Sequence, residues 1–363
     1  MRLLHLFFYI RHLLMKISLD SAALCDRNNR YGNYVFSQNL IEAIKRMDKI
    51  NQYTLYSFCK RPPELSISDN MHYKRILPKK LWLSARVGIE EILQPKDIFF
   101  ALNQAVPFFL KSRVFSFSHG LSYYFFKDLY QGSYEILKDQ LFTIMDKSEY
   151  VFVSSKKVKK EMSSIFLKSG KVIAIPYGIP YDMLTRNYRN EIISDKVKSL
   201  AKKYFLYVGM DHPIKNIQFL VDAFKIFVQS PYFKDFRLIL VGSEFDEYTN
   251  QHPNILSIER VNRDELKYLF QKAQGYLSAS RYESFNLPIL EALSQDCPVV
   301  AIPSAVIPEL TKYVQTAQYV EEFVENMKIF AGNKARKISK KTLLKEFSWD
   351  GYLSKLLSLY QKT

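Results

Sequence analysis

Two glutamates, Glu283 and Glu291, flank seven residues in the stretch ESFNLPILEALSQDCPVV, which is otherwise apolar enough to be core. A buried carboxylate without a partner costs several kcal/mol, so the two face either water or a ligand. Pro288 sits where proline opens a helix. A helix from Pro288 to Ser294 turns its free backbone N–H groups back toward the loop SASRYESFN, which makes that terminus an anion site. The N–H groups around Asn286 and Leu287 are placed to hold a phosphate. Glu283 precedes the terminus and Glu291 lies one turn in, on the side of Leu287 and Pro288, so both reach one ligand. Carboxylates accept hydrogen bonds from paired hydroxyls, which makes a sugar and a ribose natural partners. The plainer alternative is that Glu291 only complements the helix dipole from an early turn.

Something must position these residues, and the chain supplies strands alternating with helices. Apolar or β-branched runs predict strands at Lys16–Leu19, Tyr53–Phe58, Ile98–Leu102, Val114–Phe117, Tyr150–Val153 and Val172–Ile175. The second half predicts Phe205–Val208, Arg237–Val241, Gly275–Leu277 and Pro298–Ile302. Amphipathic helices are expected at Tyr34–Met47, Gln218–Val228 and Asp264–Ala273. Such alternation implies parallel sheets covered on both faces. The polar stretch Asn187–Lys203 interrupts the series and is the best place for a linker. The expectation is therefore α/β: two doubly wound, Rossmann-like domains with a cleft between them, ligands binding at the carboxyl ends of the strands.

The composition fits that expectation. The 363 residues suit two domains, and a 48% hydrophobic, 24% charged chain has no reason to be disordered. The net charge is +16, of which residues 1–180 carry +12 and residues 181–363 only +4. The first half is thus the one that attracts anions: an anionic bilayer, a phosphorylated lipid or nucleic acid. A Lys-rich surface that serves solubility alone is the other reading. The basic run Lys156, Lys157, Lys159, Lys160, Lys168 and Lys171 flanks a helical pattern and suits either lipid heads or water. Cys25, Cys59 and Cys297 are few and widely spaced, which predicts a reducing cytosol, no disulfide framework and no metal site. The apolar opening, residues 1–14, is too short to span a bilayer and is expected to be a surface helix, a membrane-lying anchor or a segment ahead of a start at Met15.

With these residues in place, the chain resembles the retaining family 4 (group 1) glycosyltransferases of the GT-B fold. Their signature reads E-G-F-G-L-P-x-x-E-A, and here it is E-S-F-N-L-P-I-L-E-A. CPVVAIPSAVIPEL follows it, as the family's strand and small-residue loop do. RYGNYVFSQNLIEAI is similar to the family's first loop and helix, FSHG to its histidine turn, and VFVSSKKVKKEM to its serine-then-helix segment. IPYGI is similar to I-P-N-G-V, and FSWDGYLSKLLSLY to the closing helix.

The resemblance implies an acceptor-binding domain over 1–185, a nucleotide-sugar domain over 186–345, and a final helix, 346–363, that returns to the first domain. It implies catalytic roles for Glu283, toward the transferred sugar's hydroxyls, and for Lys215, in VGMDHPIKN, toward the diphosphate. His119 of FSHG would lie beside the sugar and the acceptor. Glu291 would hold the ribose, Phe285, Asn286 and Leu287 would give backbone contacts to sugar and phosphate, and Gly32 with Asn33 would form the first glycine loop. Three departures stand out: Met210 and Ile214 occupy the places of the family's arginine, and Ser284 and Asn286 replace glycines.

The implied reaction moves a sugar from a UDP- or GDP-sugar to the hydroxyl of a glycan or lipid-linked acceptor, with retention and without a metal or other cofactor. No Asp-x-Asp triplet occurs in the sequence. The setting expected is cytoplasmic, peripheral on the inner face of a membrane, in surface polysaccharide, lipopolysaccharide or glycolipid assembly. The missing arginine keeps a rival open, a non-catalytic sugar-nucleotide-binding or scaffolding protein of the same fold. A nucleic-acid partner is not expected, since no recognition module accompanies the charge.

Overall fold

A computed structural model describes residues 14–26, 32–200, 203–332 and 340–359. The expectation for the N-terminal helix or anchor therefore falls, except at Leu14, outside the described residues. The chain forms two compact units: Met1–His119 with Glu135–Phe152 and Gly170–Ile173, and Gly120–Tyr134 with Val153–Ser169 and Ala174–Thr363.

The first sheet has the strands β1 (Lys16–Asp20), β2 (Gln52–Ser57), β3 (Met71–Arg75), β4 (Ile98–Ala101), β5 (Arg113–Ser118), β6 (Tyr150–Val153) and β7 (Val172–Ala174). Their order is β3-β2-β1-β4-β5-β6-β7. β1 runs parallel to β2 and β4, β2 to β3, and β4 to β5. Central strands of a parallel sheet are covered on both faces and read as unbroken apolar runs, and β4, IFFA, is buried throughout. The covering helices are α1 (Gly32–Met47), α2 (Gly88–Leu93) and α3 (Tyr134–Lys147). α1 buries Tyr34, Phe36, Leu40, Ile41 and Ile44, one stripe at helical spacing.

The second unit includes α4 (Lys156–Ile165). Its sheet contains β8 (Tyr204–Val208), β9 (Arg237–Val241), β10 (Ile255–Ile258), β11 (Gly275–Ser278), β12 (Val299–Ala301) and β13 (Gln315–Thr316), ordered β10-β9-β8-β11-β12-β13. All its pairings are parallel. Around it lie α5 (Ile217–Val228), α6 (Arg263–Lys272), α7 (Leu287–Ser294), α8 (Val320–Ala331) and α9 (Trp349–Leu357). A cluster rich in phenylalanine, including Phe205, Phe224, Phe227, Phe236 and Phe323, fills the space between β8, β9, α5 and α8. α9 docks through Trp349, which stacks on Tyr177 at 5.9 Å between centroids. Gly178 makes this possible, because a Cβ there would come within 2.3 Å of the Trp349 backbone nitrogen.

The strands the sequence predicts are all present. Those it does not predict, β3, β10 and β13, are edge strands. The stretch expected as a linker is instead tied down: Ser194 Oγ donates to Glu265 Oε1 at 2.6 Å, and Arg189 pairs with Asp264.

One expectation is corrected. Cys25 and Cys59 form a disulfide, with Cα atoms 5.7 Å apart, where the spacing predicted none. Neighbouring parallel strands explain it, since Cys25 follows β1 and Cys59 follows β2, so residues 34 apart in sequence leave the sheet side by side. Cys297 is a buried free thiol.

Candidate active site

The loop between β11 and α7 sets the site. Asn286 caps α7 with φ 65°, ψ 67°, the left-handed region that glycine tolerates best and asparagine next. Its amide donates to Ser278 Oγ and to Ala305 O, both at 3.0 Å. Asparagine thus keeps the backbone course that a glycine would give and adds two hydrogen bonds that fix it. Pro288 then stands in the first turn, as expected. Among the described residues no acceptor is seen for the N–H groups of Asn286 and Leu287, as is usual for the first N–H groups of a helix.

Glu283 and Lys215 meet here. Lys215 Nζ lies 2.7 Å from Glu283 Oε1, with side chains 25% and 12% exposed. Lys215 ends a short 3-10 turn, Pro213–Lys215, after β8, and His212 Nδ1 caps the turn by accepting from the Ile214 N–H at 3.2 Å. The Arg281 N–H donates to Ile214 O at 2.7 Å, joining the lysine loop to the glutamate loop.

A second cation stands beside them that the sequence reading did not place there. Lys157 Nζ donates to the Glu283 carbonyl at 2.9 Å and lies 4.1 Å from the Tyr282 ring centre. Lys157 therefore faces this loop, whereas Lys156, Lys159 and Lys160 on the same helix are exposed. Burial pulls its pKa down, offset in part by Glu161 and Glu283. Ser154 and Ser155 donate their hydroxyls to the Ser284 carbonyl at 3.0 and 2.7 Å. Tyr282 OH donates to Glu161 at 2.7 Å and accepts from the Leu121 N–H at 3.0 Å. Ser284 packs over Gly120, where a Cβ would come within 2.6 Å of the serine Cβ. The motif VSSKK could have signalled this clamp only if its partner loop were known.

Glu291, expected on the side of the loop, is buried and ion-paired. Arg263 Nη2 lies 2.7 Å from Glu291 Oε1, and the same guanidinium forks onto Asp182, with Nη2 3.0 Å from Oδ1. Burial raises the Glu291 pKa, and Arg263 counteracts it. For Arg263 burial opposes the charge, and Glu291 with Asp182 outweighs it, so the guanidinium is held firmly charged. Tyr276 lies in the field of both glutamates, and burial followed by these charges keeps its phenol protonated. The Phe285 side chain is core, packed on Tyr177 at 4.9 Å, which leaves its backbone as the part able to meet a ligand. Leu287 is the first residue of α7. Both glutamates thus meet cations; neither stands alone.

The remaining candidates lie in the first unit. His119 follows β5, its Nε2 donating to Leu102 O at 2.7 Å and its ring 4.8 Å from Phe36. Burial pushes its pKa down to about 4 against the pull of that hydrogen bond, so the imidazole is neutral at pH 7. Gly32 and Asn33 form the exposed first turn of α1. A Cβ on Gly32 would meet nothing within 4 Å, so packing does not demand glycine there. Among the described residues no group of three or more His, Cys, Asp or Glu side chains is arranged to hold a metal ion.

Two parallel-strand Rossmann-like sheets, the second carrying this glutamate and lysine loop, define the GT-B class of fold. Residues 202–332 match the model of the family described as glycosyl transferases group 1. It is 32% identical over 121 residues to the O-antigen chain mannosyltransferase B of Escherichia coli, a match spanning 30% of each chain. Among solved structures it is similar to a sucrose-phosphate synthase from Thermosynechococcus elongatus, with a TM-score of 0.71 and 18% identity over 96% of this chain and 98% of that one. It is also similar to HepE of Anabaena in complex with UDP and glucose, with a TM-score of 0.67 and 14% identity over 95% and 99%.

Proposed function

We propose that the chain is a retaining glycosyltransferase that moves a hexose from a nucleoside diphosphate sugar to an acceptor hydroxyl. The observation that carries this reading is the Lys215–Glu283 pair at 2.7 Å, set at the N-terminus of α7. A diphosphate leaving group needs cations and donors where its charge develops, and preorganised groups of that kind usually supply the largest share of catalysis. Lys215 and the N–H groups of Asn286 and Leu287 answer that need. Glu283 then exchanges its lysine partner for the sugar's hydroxyls, Glu291 takes the ribose, and His119 serves the acceptor side as a neutral hydrogen-bonding group. In the step itself the bond from the anomeric carbon to the phosphate oxygen breaks. The acceptor oxygen bonds to that carbon on the same face, and its proton passes to the departing phosphate. The resemblance to an O-antigen mannosyltransferase favours mannose as the hexose and a lipid-linked glycan as the acceptor.

An anionic membrane surface is the partner we assign to the first unit. α2 is built inside out: Glu91 is buried, accepting from Tyr56 OH at 2.9 Å and Ser112 Oγ at 2.7 Å, while Ile89, Ile92 and Leu93 are exposed. Phe108 and Phe109, also exposed, run beside the turn that precedes it, the Phe108 N–H donating to Ser84 O at 2.8 Å. Aliphatic and aromatic side chains in a unit whose segments carry 21 basic and 13 acidic residues, a net +8, suit a charged bilayer. No helix of the described residues is long and apolar enough to cross a membrane.

Incubating the chain with radiolabelled UDP- and GDP-sugars and a membrane extract tests the reaction. Label should enter a lipid fraction, and the Lys215→Ala and Glu283→Ala variants should lose that transfer. Near-normal turnover in both would dismiss the site. Binding without transfer in the wild type would favour the scaffolding reading, which the methionine at Met210 supports.

A further inference from the structure

Nothing in the spacing of charges along the chain marks Arg263. It stands at the first position of α6, where a cation opposes the helix dipole, so local helix energetics do not explain it. The terminus is nevertheless tightly built. Asn262 Oδ1 accepts from the N–H groups of Asp264 and Glu265, both at 2.9 Å, and Glu265 Oε2 accepts from the Asn262 N–H at 2.8 Å. This capping box fixes the first turn and, with it, the stem of Arg263. The guanidinium then meets two carboxylates of unequal exposure: Asp182, 42% exposed, and Glu291, 5% exposed. Its fork on Asp182 sets the plane, and the remaining Nη2 hydrogen is delivered to Glu291 Oε1.

Glu291 by itself would meet its burial by taking up a proton. The charged groups facing it are Arg263 and Asp182, and the Tyr276 phenol stays neutral nearby. Arg263 works against that uptake through its charge and its hydrogen bond. One oxygen, Oε1, is committed to the guanidinium, and Oε2 has no hydrogen bond among the described residues. An ionised carboxylate held at one oxygen is an oriented acceptor for vicinal hydroxyls at the other. A protonated or rotating one is not.

We propose that Arg263, steered by Asp182, is a positioning residue that keeps Glu291 ionised and aimed at the ribose hydroxyls of the donor. The proposal rests on the reading of Glu291 as the ribose holder and adds to it the device that makes that carboxylate work in an apolar setting.

The test is calorimetric titration of the full chain with UDP and GDP and with their 2′,3′-dideoxy counterparts, at about pH 6 and about pH 8.5. Wild type should prefer the ribonucleotide by on the order of 10-fold, the worth of one or two hydrogen bonds to a charged acceptor. Arg263→Met should erase most of that preference at the acid pH, where Glu291 then carries a proton, and regain part of it at the alkaline pH. Its affinity for the dideoxy ligand should stay within about 2-fold of wild type. Asp182→Asn, which keeps the guanidinium, should shift in the same direction by less, and Arg263→Lys should restore part of the preference. Equal loss for both ligands, or an unchanged preference in Arg263→Met, overturns the role of Arg263. If Glu291→Gln keeps the preference, or if neither nucleoside diphosphate binds, the ribose-holder reading falls and the proposal with it. If Glu291→Gln loses the preference and Arg263→Met keeps it, only the proposal falls.

Discussion

In the second unit, Glu283 meets Lys215 and Glu291 meets Arg263, each at 2.7 Å and each largely withdrawn from water. In the first unit, the candidate His119 is neutral and bonded to a backbone carbonyl, and Gly32 and Asn33 carry no charge. The two sets of candidates are therefore stabilised by different physics. Paired ions in a low-dielectric setting are costly to assemble and costly to halve, whereas the half-buried, neutral imidazole is held by its contact with Phe36 and a hydrogen bond. The lesson is that charge in the second unit is held by opposite charge within the chain, and that the first-unit candidates are held by packing and hydrogen bonds.

The sharpest way to break this contrast is to remove one ion. Lys215→Ala leaves Glu283 without its partner and should lower turnover by roughly 10²-fold or more, measured as initial rates of sugar transfer, while the far-ultraviolet circular dichroism stays unchanged. A loss no larger than about 3-fold would show that the pair is not the diphosphate site.

The frame that holds the ions is the next test. Asn286→Ala loses two hydrogen bonds and puts at positive φ a residue that tolerates that region less well than asparagine, which should destabilise the chain by about 2–3 kcal/mol in urea unfolding. Asn286→Gly loses the same hydrogen bonds but suits the positive φ, and should cost about half of that. Equal costs would mean that the backbone conformation contributes nothing.

For His119 the comparison becomes a pH dependence. Its pKa is about 4 in the fold against 6.5 for the free side chain, so the unfolded chain binds the proton more readily. Stability from this group is complete above pH 6.5 and is lost as the pH falls toward 4, by roughly 3 kcal/mol in all. Asp20, in the same unit, is pushed up to about 6 by burial and works in the opposite sense between pH 6 and 3.8. The wild-type curve minus that of His119→Gln isolates the histidine. A difference curve that is flat below pH 6.5 would contradict a half-buried, neutral ring. Smallest of all, Gly32→Ala should alter the melting temperature by no more than about 1 °C, because its Cβ meets open space.

The central strands were legible because burial on both faces makes them rich in apolar residues, unbroken in IFFA of β4 and YFLYV of β8. The edge strands β3, β10 and β13 were not, whereas the edge strand β7, VIA, was. β3 reads MHYKR, with one side in water, and β13 has two exposed residues. Their strand character comes from the neighbour they pair with. The disulfide escaped for a related reason: Cys25 and Cys59 become neighbours only through the pairing of β1 with β2.

At the site, the sequence by itself determined the helix start to within one residue of Pro288, the glutamate spacing and the loop lysine. These are local matters of turn chemistry and helical repeat, written in adjacent residues. Only the tertiary structure decided which cation each carboxylate would meet. Lys215 comes from 68 residues before Glu283, Lys157 from 126 before it, and Arg263 from 28 before Glu291. Such partners are chosen by sheet order and loop closure. The penalty for an unpaired buried charge requires that partners exist, but the folded chain alone selects them.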